Sequence, residues 1–392
     1  MHVTEILYQI LETTIHKTRI ESLSPVLTAI INSKQLKLTQ LGRSLITSGK
    51  ERAGIRRIDR LLSNPYYQNR SIEVYRAMAQ RVVGNQTCPP IIVDWTGLPN
   101  SKRTAAKGEH CALRAALIAQ GRSITLYEEV HSKKKEGNDR VHQSFLKNLQ
   151  SVLPKGCCPC IVTDAGFKIP WFKSVCVLGW NFIGRVRGAV KYKNGSEFHS
   201  IKHLFNKASA TPKSLGEVIL AKHNPFKTEL YIYKHKLQGR HKFTKSGQLA
   251  KDSHSEKQSR GYREPWILAS SLGHYSAARK VVKLYRCRMT IEESFRDTKS
   301  VEFGLGMNEN ITFKAERYIV WLLIAALANL IAWVVGYAAE KMNLHYAFQA
   351  NTYRHRRVLS FFFLGCQIIR KKIKIPIDFN SIQKTAWEIL YD

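Results

Sequence analysis

Acidic residues are scarce in this chain. Only 29 Asp and Glu stand against 62 Lys and Arg, a formal net charge of +33 over 392 residues. A soluble protein this basic repels itself unless it meets a polyanion, so nucleic acid is the first partner to consider and an anionic membrane the second. Paired zinc ligands are also missing. Cys157, Cys158 and Cys160 stand together in GCCPC, but no second Cys or His pair follows at zinc-finger spacing, which argues against a structural metal site of that kind. The remaining cysteines are scattered in apolar contexts and read as reduced core residues of a reducing cytosol. The N-terminus, MHVTEILYQILETTIHK, is polar and amphipathic and does not read as a secretory signal. No internal repeat or low-complexity tract is found. Uncharged runs of membrane length are rare too. Only Tyr318 to Ala339 is long enough to span a bilayer, flanked by Arg317 and Lys341. In so basic a chain it reads as a buried central helix, and no membrane association is expected.

What the chain does contain is core-forming residues, 44% hydrophobic. Its length exceeds one compact core and predicts two to four domains, or one core with large insertions. Residues 1–85 read as a helical, DNA-contacting domain. ILYQILETTI and LSPVLTAIINSK carry apolar residues at three- and four-residue steps. LTQLGRSL reads as a short helix with a glycine turn, and RAGIRRIDRLL as a basic helix stopped at Asn64-Pro65. Arg52, Arg56, Arg57 and Arg60 are its candidate DNA contacts, although an ordinary bundle with a basic face would look the same.

From Pro89-Pro90 the pattern changes. PPIIVDWTGL is an apolar, β-branched strand with Asp94 near its end. CALRAALIAQ and RSITLYEEV follow as a meander around Gln120-Gly121-Arg122. VHQSFLKNLQSVLP is an amphipathic helix. PCIVTDAGF is a second apolar strand ending in Asp164, IPWFKSVCVLG a short helix, and NFIGRVRG a strand. Three strands, helix, strand, helix, strand is the order of a ribonuclease-H-like α/β core. That core would occupy residues 86–190 and 264–306, interrupted by a β-rich basic insertion at 191–263 and followed by a helical C-terminal domain at 307–392. Between Lys234 and Arg263 the insertion holds nine Lys/Arg and two acids, and the stretch from Lys245 to Arg260 is expected to be flexible. Arg354, Arg356 and Arg357 form a further basic cluster.

Such a core needs a helix that brings a third acid. YRCRMTIEESFRDTK, Tyr285 to Lys299, contains no Gly or Pro and reads as that helix. On a continuous α-helix Tyr285, Arg288, Glu292 and Lys299 fall within roughly 60° of one another. Asp94 and Asp164 lie 70 residues apart, and Glu292 follows 128 residues later. Three carboxylates from separate elements can hold two divalent cations, and carboxylate, water and phosphate ligands suit Mg²⁺. Taken singly, each Asp at a strand end could equally be a turn former or helix cap. Glu293, Asp297 and Glu128 rank below the triad. Glu293 points about 100° away from Glu292 and is expected to face solvent or pair with Arg296 or Arg286. Glu128 sits on a strand and could approach the site.

These blocks resemble the DDE transposases of bacterial insertion sequences, in the subgroup with a Y-(2)-R-(3)-E-(6)-K signature, the insertion-sequence-four family. Tyr285, Arg288, Glu292 and Lys299 match its spacing. VDWTG around Asp94 and VTDAGFKIPWFKSV around Asp164 match its acidic blocks, and LGWNFIGRVRG, EPWILAS and AFQAN (Ala347 to Asn351) are similar as well. The resemblance implies that Asp94, Asp164 and Glu292 are catalytic and bind two Mg²⁺, with Mn²⁺ able to substitute. It implies double-stranded DNA as partner, at transposon ends and at the target, with two protomers paired on the ends. The chemistry it implies is a nick by water, attack of the freed 3′-hydroxyl to form a hairpin, hairpin opening, and joining of the 3′-ends to target DNA. Tyr285, Arg288 and Lys299 would grip phosphates, and Trp266 would stack on a flipped base. The implied location is the bacterial cytoplasm, on the nucleoid when bound to DNA. A DNA-binding protein without catalysis is the competing reading, and the presence of all three acids argues against it.

Overall fold

The computed structural model describes residues 2–46, 49–100, 108–235, 264–273, 278–350, 355–381 and 383. The stretch Lys245 to Arg260, Asn351 and Arg354 lie outside them. The chain is α/β, and its contacts divide it into two compact units: Met1–Pro159 with Met289–Asp392, and Cys160–Arg288.

The first unit opens with five helices: α1 (His2–Leu11), α2 (Lys17–Ser33), α3 (Leu38–Ser44), α4 (Glu51–Leu62) and α5 (Pro65–Val83). The glycine turn expected in LTQLGRSL is corrected. Gly42 lies inside α3 and is buried, and its role is close helix packing. A Cβ there would come 2.5 Å from Ile55 Cα, and one on Gly54 would overlap the Gly42 carbonyl oxygen. Without side chains at these two positions, α3 and α4 can press backbone to backbone. Asn64-Pro65 both ends α4 and starts α5. The Asn64 side chain accepts the Tyr66 N–H at 3.0 Å, and Pro65 takes a first-turn position where no donor is needed.

Three strands follow: β1 (Pro90–Gly97), β2 (His110–Ala119) and β3 (Arg122–Ser132). They pair antiparallel in the order β3-β2-β1. The β2–β3 hairpin turns at Gln120-Gly121, where Gly121 adopts φ +70°, as the sequence pattern predicts. Helix α6 (Asp139–Val152) packs on β3, its first turn capped by the Asn138 side chain. The unit is completed by α9 (Met289–Lys299), α10 (Ala315–Lys341) and α11 (Phe361–Arg370).

Helix α10 contains the uncharged run. By length and composition it could cross a membrane, yet 89% of its most apolar window is buried. It packs against β3, α2, α5 and α11. A helix apolar on every face must be covered on every face. Each Leu, Ile or Val so covered stabilises the fold by about 1.5–3 kcal/mol relative to exposure.

The second unit holds β4 (Cys160–Thr163), α7 (Ile169–Val177), β5 (Asn181–Val186), β6 (Lys191–Lys193), β7 (Phe198–Ser200), β8 (Lys213–Leu220), β9 (Phe226–Tyr233), β10 (Trp266–Ser270) and α8 (Ala278–Arg286). Its strands run β4-β5-β10-β9-β8-β6-β7. β4 and β5 are parallel and joined through α7; β10 is antiparallel to both β5 and β9. Gly184 on β5 leaves room for the Phe172 ring, which stacks on Phe182 at 4.6 Å. Residues 191–235, within the stretch expected to be β-rich, carry the four strands β6 to β9.

A single helix from Tyr285 to Lys299 is not observed. α8 ends at Arg286, Cys287 and Arg288 form a turn, and α9 begins at Met289. The break is made by tightened bonds, Cys287 N–H to the Leu284 carbonyl and Arg288 N–H to the Tyr285 carbonyl, both 3.1 Å. No Gly or Pro marks it, so no local signal announces it. Glu292 and Lys299 therefore share one face of α9, whereas Tyr285 lies on α8 and Arg288 in the turn between, so the four residues do not share one helix face.

Candidate active site

Side chains alternate across a strand, so Asp94 and Thr96 of β1 face one way and Trp95 the other. Behind β1, Trp95 Nε1 donates to His142 Nε2 of α6 at 3.1 Å. Burial lowers the His142 pKa to about 4, the imidazole being neutral and able to accept. On the opposite face Asp94 is buried, 8% exposed, and its Oδ1 accepts the Trp95 N–H at 2.8 Å. Asp94 stands in register with Arg114 of β2, and Arg114 reaches Ser294 and Thr298 of α9. Helix α9 thus lies over the face to which Asp94 points.

Glu292 is exposed at the start of α9, and Lys299 follows two turns later on the same side of the helix. Lys299 Nζ donates to Thr96 Oγ1 at 2.6 Å and to the Gly97 carbonyl at 2.5 Å, fastening the end of α9 to the end of β1. Glu292, Lys299 and Thr96 line an open cleft of about 500 Å³ with Phe295 and Arg296. Burial, with the nearby Arg114 charge, pulls the Lys299 pKa down to about 8, against the opposing pull of Glu292 and Glu128. The ammonium is present below that pH and lost above it. The unfolded group titrates near 10.5, so between about 8 and 10.5 the unfolded chain binds the extra proton and this residue's contribution to stability grows with pH. DNA binding should respond in the opposite sense, weakening between pH 7 and 9. Lys299→Arg, which stays charged, should bind with a flat profile over that range. An equally steep profile in that variant would remove Lys299 as the titrating group.

The second unit assembles another cluster. Asp164 follows β4, is partly exposed, and accepts the Gly166 N–H on Oδ1 at 2.8 Å. Tyr285 of α8 is buried near it. Burial raises the Tyr285 pKa; Arg288, which donates to its hydroxyl, and Arg185 oppose the rise, and Asp164 adds to it. Trp266 is partly exposed and meets the Tyr285 ring edge-on at 4.9 Å and the Tyr233 ring at 5.6 Å. The sequence reading missed Arg185. Its Nε and Nη2 are buried without a hydrogen-bond partner among the described residues. Burial lowers its pKa, and Arg187 and Arg288 add to that. A buried guanidinium with unmet donors beside Arg288 is suited to receive an anion. The alternation in GRVRG was the available signal, since it sends Arg185 and Arg187 to one face; Arg187 is already paired with Glu264 at 2.6 Å.

The acids set aside have structural partners. Glu293 pairs with Arg296 at 2.5 Å and Arg122 at 3.7 Å, and Asp297 with Arg122 at 2.7 Å. Glu128 forms a buried ion pair with Arg114 at 2.6 Å. On α4, Arg52, Arg56 and Arg60 form an exposed stripe at four-residue spacing. Arg57 is half-buried and donates to the Ser22 carbonyl at 3.2 Å, which ties α4 to α2.

Among the described residues, no three His, Cys, Asp or Glu side chains are grouped closely enough to hold a metal ion. The fit to a hard divalent cation rests on donor chemistry. Asp94, Asp164 and Glu292 offer carboxylate oxygens and no soft ligand.

The family of the Transposase DDE domain matches residues 88–330, from the edge of β1 into α10. The chain belongs to the DDE-domain transposases, enzymes of DNA strand cleavage and strand transfer that use divalent metal ions. No curated protein matches the sequence. Among solved structures, the piggyBac transposase in a synaptic complex with hairpin DNA, determined by cryo-EM, is similar at a TM-score of 0.42 and 13% identity, covering 98% of this chain and 83% of that one.

Proposed function

We propose that this chain is a cut-and-paste transposase of the insertion-sequence-four family, resembling the transposase of insertion sequence ten, that excises its element through a hairpin intermediate. The observation that carries the reading is the cleft where Glu292 and Lys299 meet the end of the Asp94 strand. Asp94, Asp164 and Glu292 would hold the divalent ions, two per site. When bound, such ions make water or a 3′-hydroxyl nucleophilic and neutralise the leaving oxygen. Lys299 supplies a point charge to a phosphate, and Arg288, with Arg185 beside it, supplies planar donors. Tyr285 buttresses Arg288 through its hydroxyl. Arg52, Arg56 and Arg60 would track the DNA backbone, and Arg57 would hold α4 in place. Two protomers would meet on paired ends.

A labelled terminal repeat incubated with the protein and Mg²⁺ should yield a nicked strand and then a hairpin. Nicking with no hairpin at any time would exclude this excision route.

Trp266 is assigned to the flipped base. Trp266→Ala should slow hairpin formation by about 10-fold or more, the loss of about 1–3 kcal/mol of base stacking. First-strand nicking should change by less than about threefold. Equal loss in both steps would mean that Trp266 only supports Tyr285 and Tyr233.

A further inference from the structure

Arg114 is 2% exposed, and its partner Glu128 is also buried. The ion pair between them, Nε to Oε1, measures 2.6 Å. Such a pair is poor evidence of a stabilising role. Desolvation of both charges offsets their attraction, and apolar residues of similar volume often serve stability as well or better. What an apolar pair cannot supply is the fork of donors. Arg114 Nη1 donates to Ser294 Oγ at 3.0 Å and Nη2 to Thr298 Oγ1 at 3.5 Å, and the guanidinium lies 4.6 Å from the centre of the Phe295 ring. Asn329 of α10 donates to the same Thr298 Oγ1 at 3.1 Å. Ser294 is two residues past Glu292, and Thr298 immediately precedes Lys299. On β2, Arg114 is the register partner of Asp94, so their side chains leave the same face of the sheet as neighbours.

We propose that Arg114, held by Glu128, is the positioning residue that sets the rotation and depth of α9 against β1 and so places Glu292 relative to Asp94. The inference rests on the reading of these two acids as active-site groups. A slip of α9 by one residue turns Glu292 by about 100° and removes it from the cleft. Arg114 opposes that slip from the strand position beside Asp94, at two points one helical turn apart. Arg122 grips the same helix through Asp297, but it lies at the β2–β3 turn and has no register relation to an acid of the site. Arg114 touches neither substrate nor reacting atoms in this role.

Arg114→Ala alone would strand a buried carboxylate, so the informative variant is Arg114→Met with Glu128→Leu, which removes both charges and keeps the volume. Thermal melting, affinity for a terminal-repeat duplex, and single-turnover cleavage at saturating protein are measured together. The expected result is a melting temperature and duplex affinity close to the parent protein, with cleavage slowed by about 30-fold or more. Cleavage at the parental rate would overturn the proposal. Should the double variant not fold, Ser294→Ala with Thr298→Val removes the helix-side partners and leaves the ion pair intact. The same split between retained binding and slowed cleavage supports the assignment, and parental cleavage overturns it. The parent protein and Asp94→Asn run alongside. If the parent fails to cut, or Asp94→Asn cuts normally, the active-site reading fails, independently of Arg114.

Discussion

Asp94→Ala is expected to lower cleavage of a terminal repeat by roughly 10³-fold or more while leaving affinity for that duplex within about threefold. Removing one preorganised charge-stabilising group from an active site commonly costs about 2.7–4 kcal/mol of barrier, and here the group would also hold the activating ion. Binding should survive because phosphate grip is assigned to Arg288, Lys299 and the exposed Arg52, Arg56 and Arg60 of α4, none of which depends on the Asp94 charge. Asp94→Asn is the sharper variant. It keeps an oxygen to accept the Trp95 N–H and removes only the negative charge and one potential ligand. Asp164→Ala and Glu292→Ala should behave alike. A variant at any of the three positions that cuts at the parental rate with Mg²⁺ takes that residue out of the site. Loss of cleavage and binding together would point to damage to the fold.

Gly336→Ala and Gly365→Ala should each destabilise the first unit by about 3 kcal/mol, lowering its melting temperature by about 10 °C. The two glycines lie where α10 crosses α11. A Cβ on Gly336 would overlap the Phe361 carbonyl oxygen and sit 2.6 Å from its carbon. One on Gly365 would overlap the Ala332 carbonyl oxygen and sit 2.9 Å from the Gly336 nitrogen. The obstacles are backbone atoms, which cannot swing aside as a side-chain tip would. The helices must separate, and the Trp333, Tyr337 and Phe361 rings packed at the crossing, 5.4–5.6 Å apart between centroids, must move with them. Gly49→Ala is the control, since a Cβ there meets nothing closer than Ala53 Cβ at 3.8 Å. A Gly336→Ala protein that melts within about 2 °C of the parent would show that this crossing yields more readily than close packing allows.

Much of the fold was readable because it rests on periodicity and punctuation. The alternation in β1 to β3, the Gln120-Gly121 turn, the Asn64-Pro65 boundary and the long apolar helix follow from spacings of two or 3.6 residues and from residues with restricted backbones. The break at Cys287–Arg288 was not readable. It contains no helix breaker, and α8 and α9 pack into different units, so tertiary contacts override a local preference for helix. Gly42 was misread for a related reason. A glycine in a sequence signals permission, either for a turn or for close approach, and only the neighbour across from it decides which.

The candidate site divides in the same way. The sequence by itself named the candidates: three carboxylates at the ends or starts of separate elements, a Tyr, an Arg and a Lys whose spacing matches a family signature, and a net charge of +33 that calls for a polyanion. Those expectations depend on residue type, order and spacing. Tertiary structure decided which charges are spent on partners. Glu128, Glu293 and Asp297 are neutralised by Arg114, Arg122 and Arg296, Arg57 is tied to α2, and Arg185 keeps buried donors unmet. Pairing is a property of distance and burial between residues as far as 203 positions apart in the chain. No periodicity encodes it, because the energy of a charge depends on what stands within a few ångströms of it and on how much water remains there.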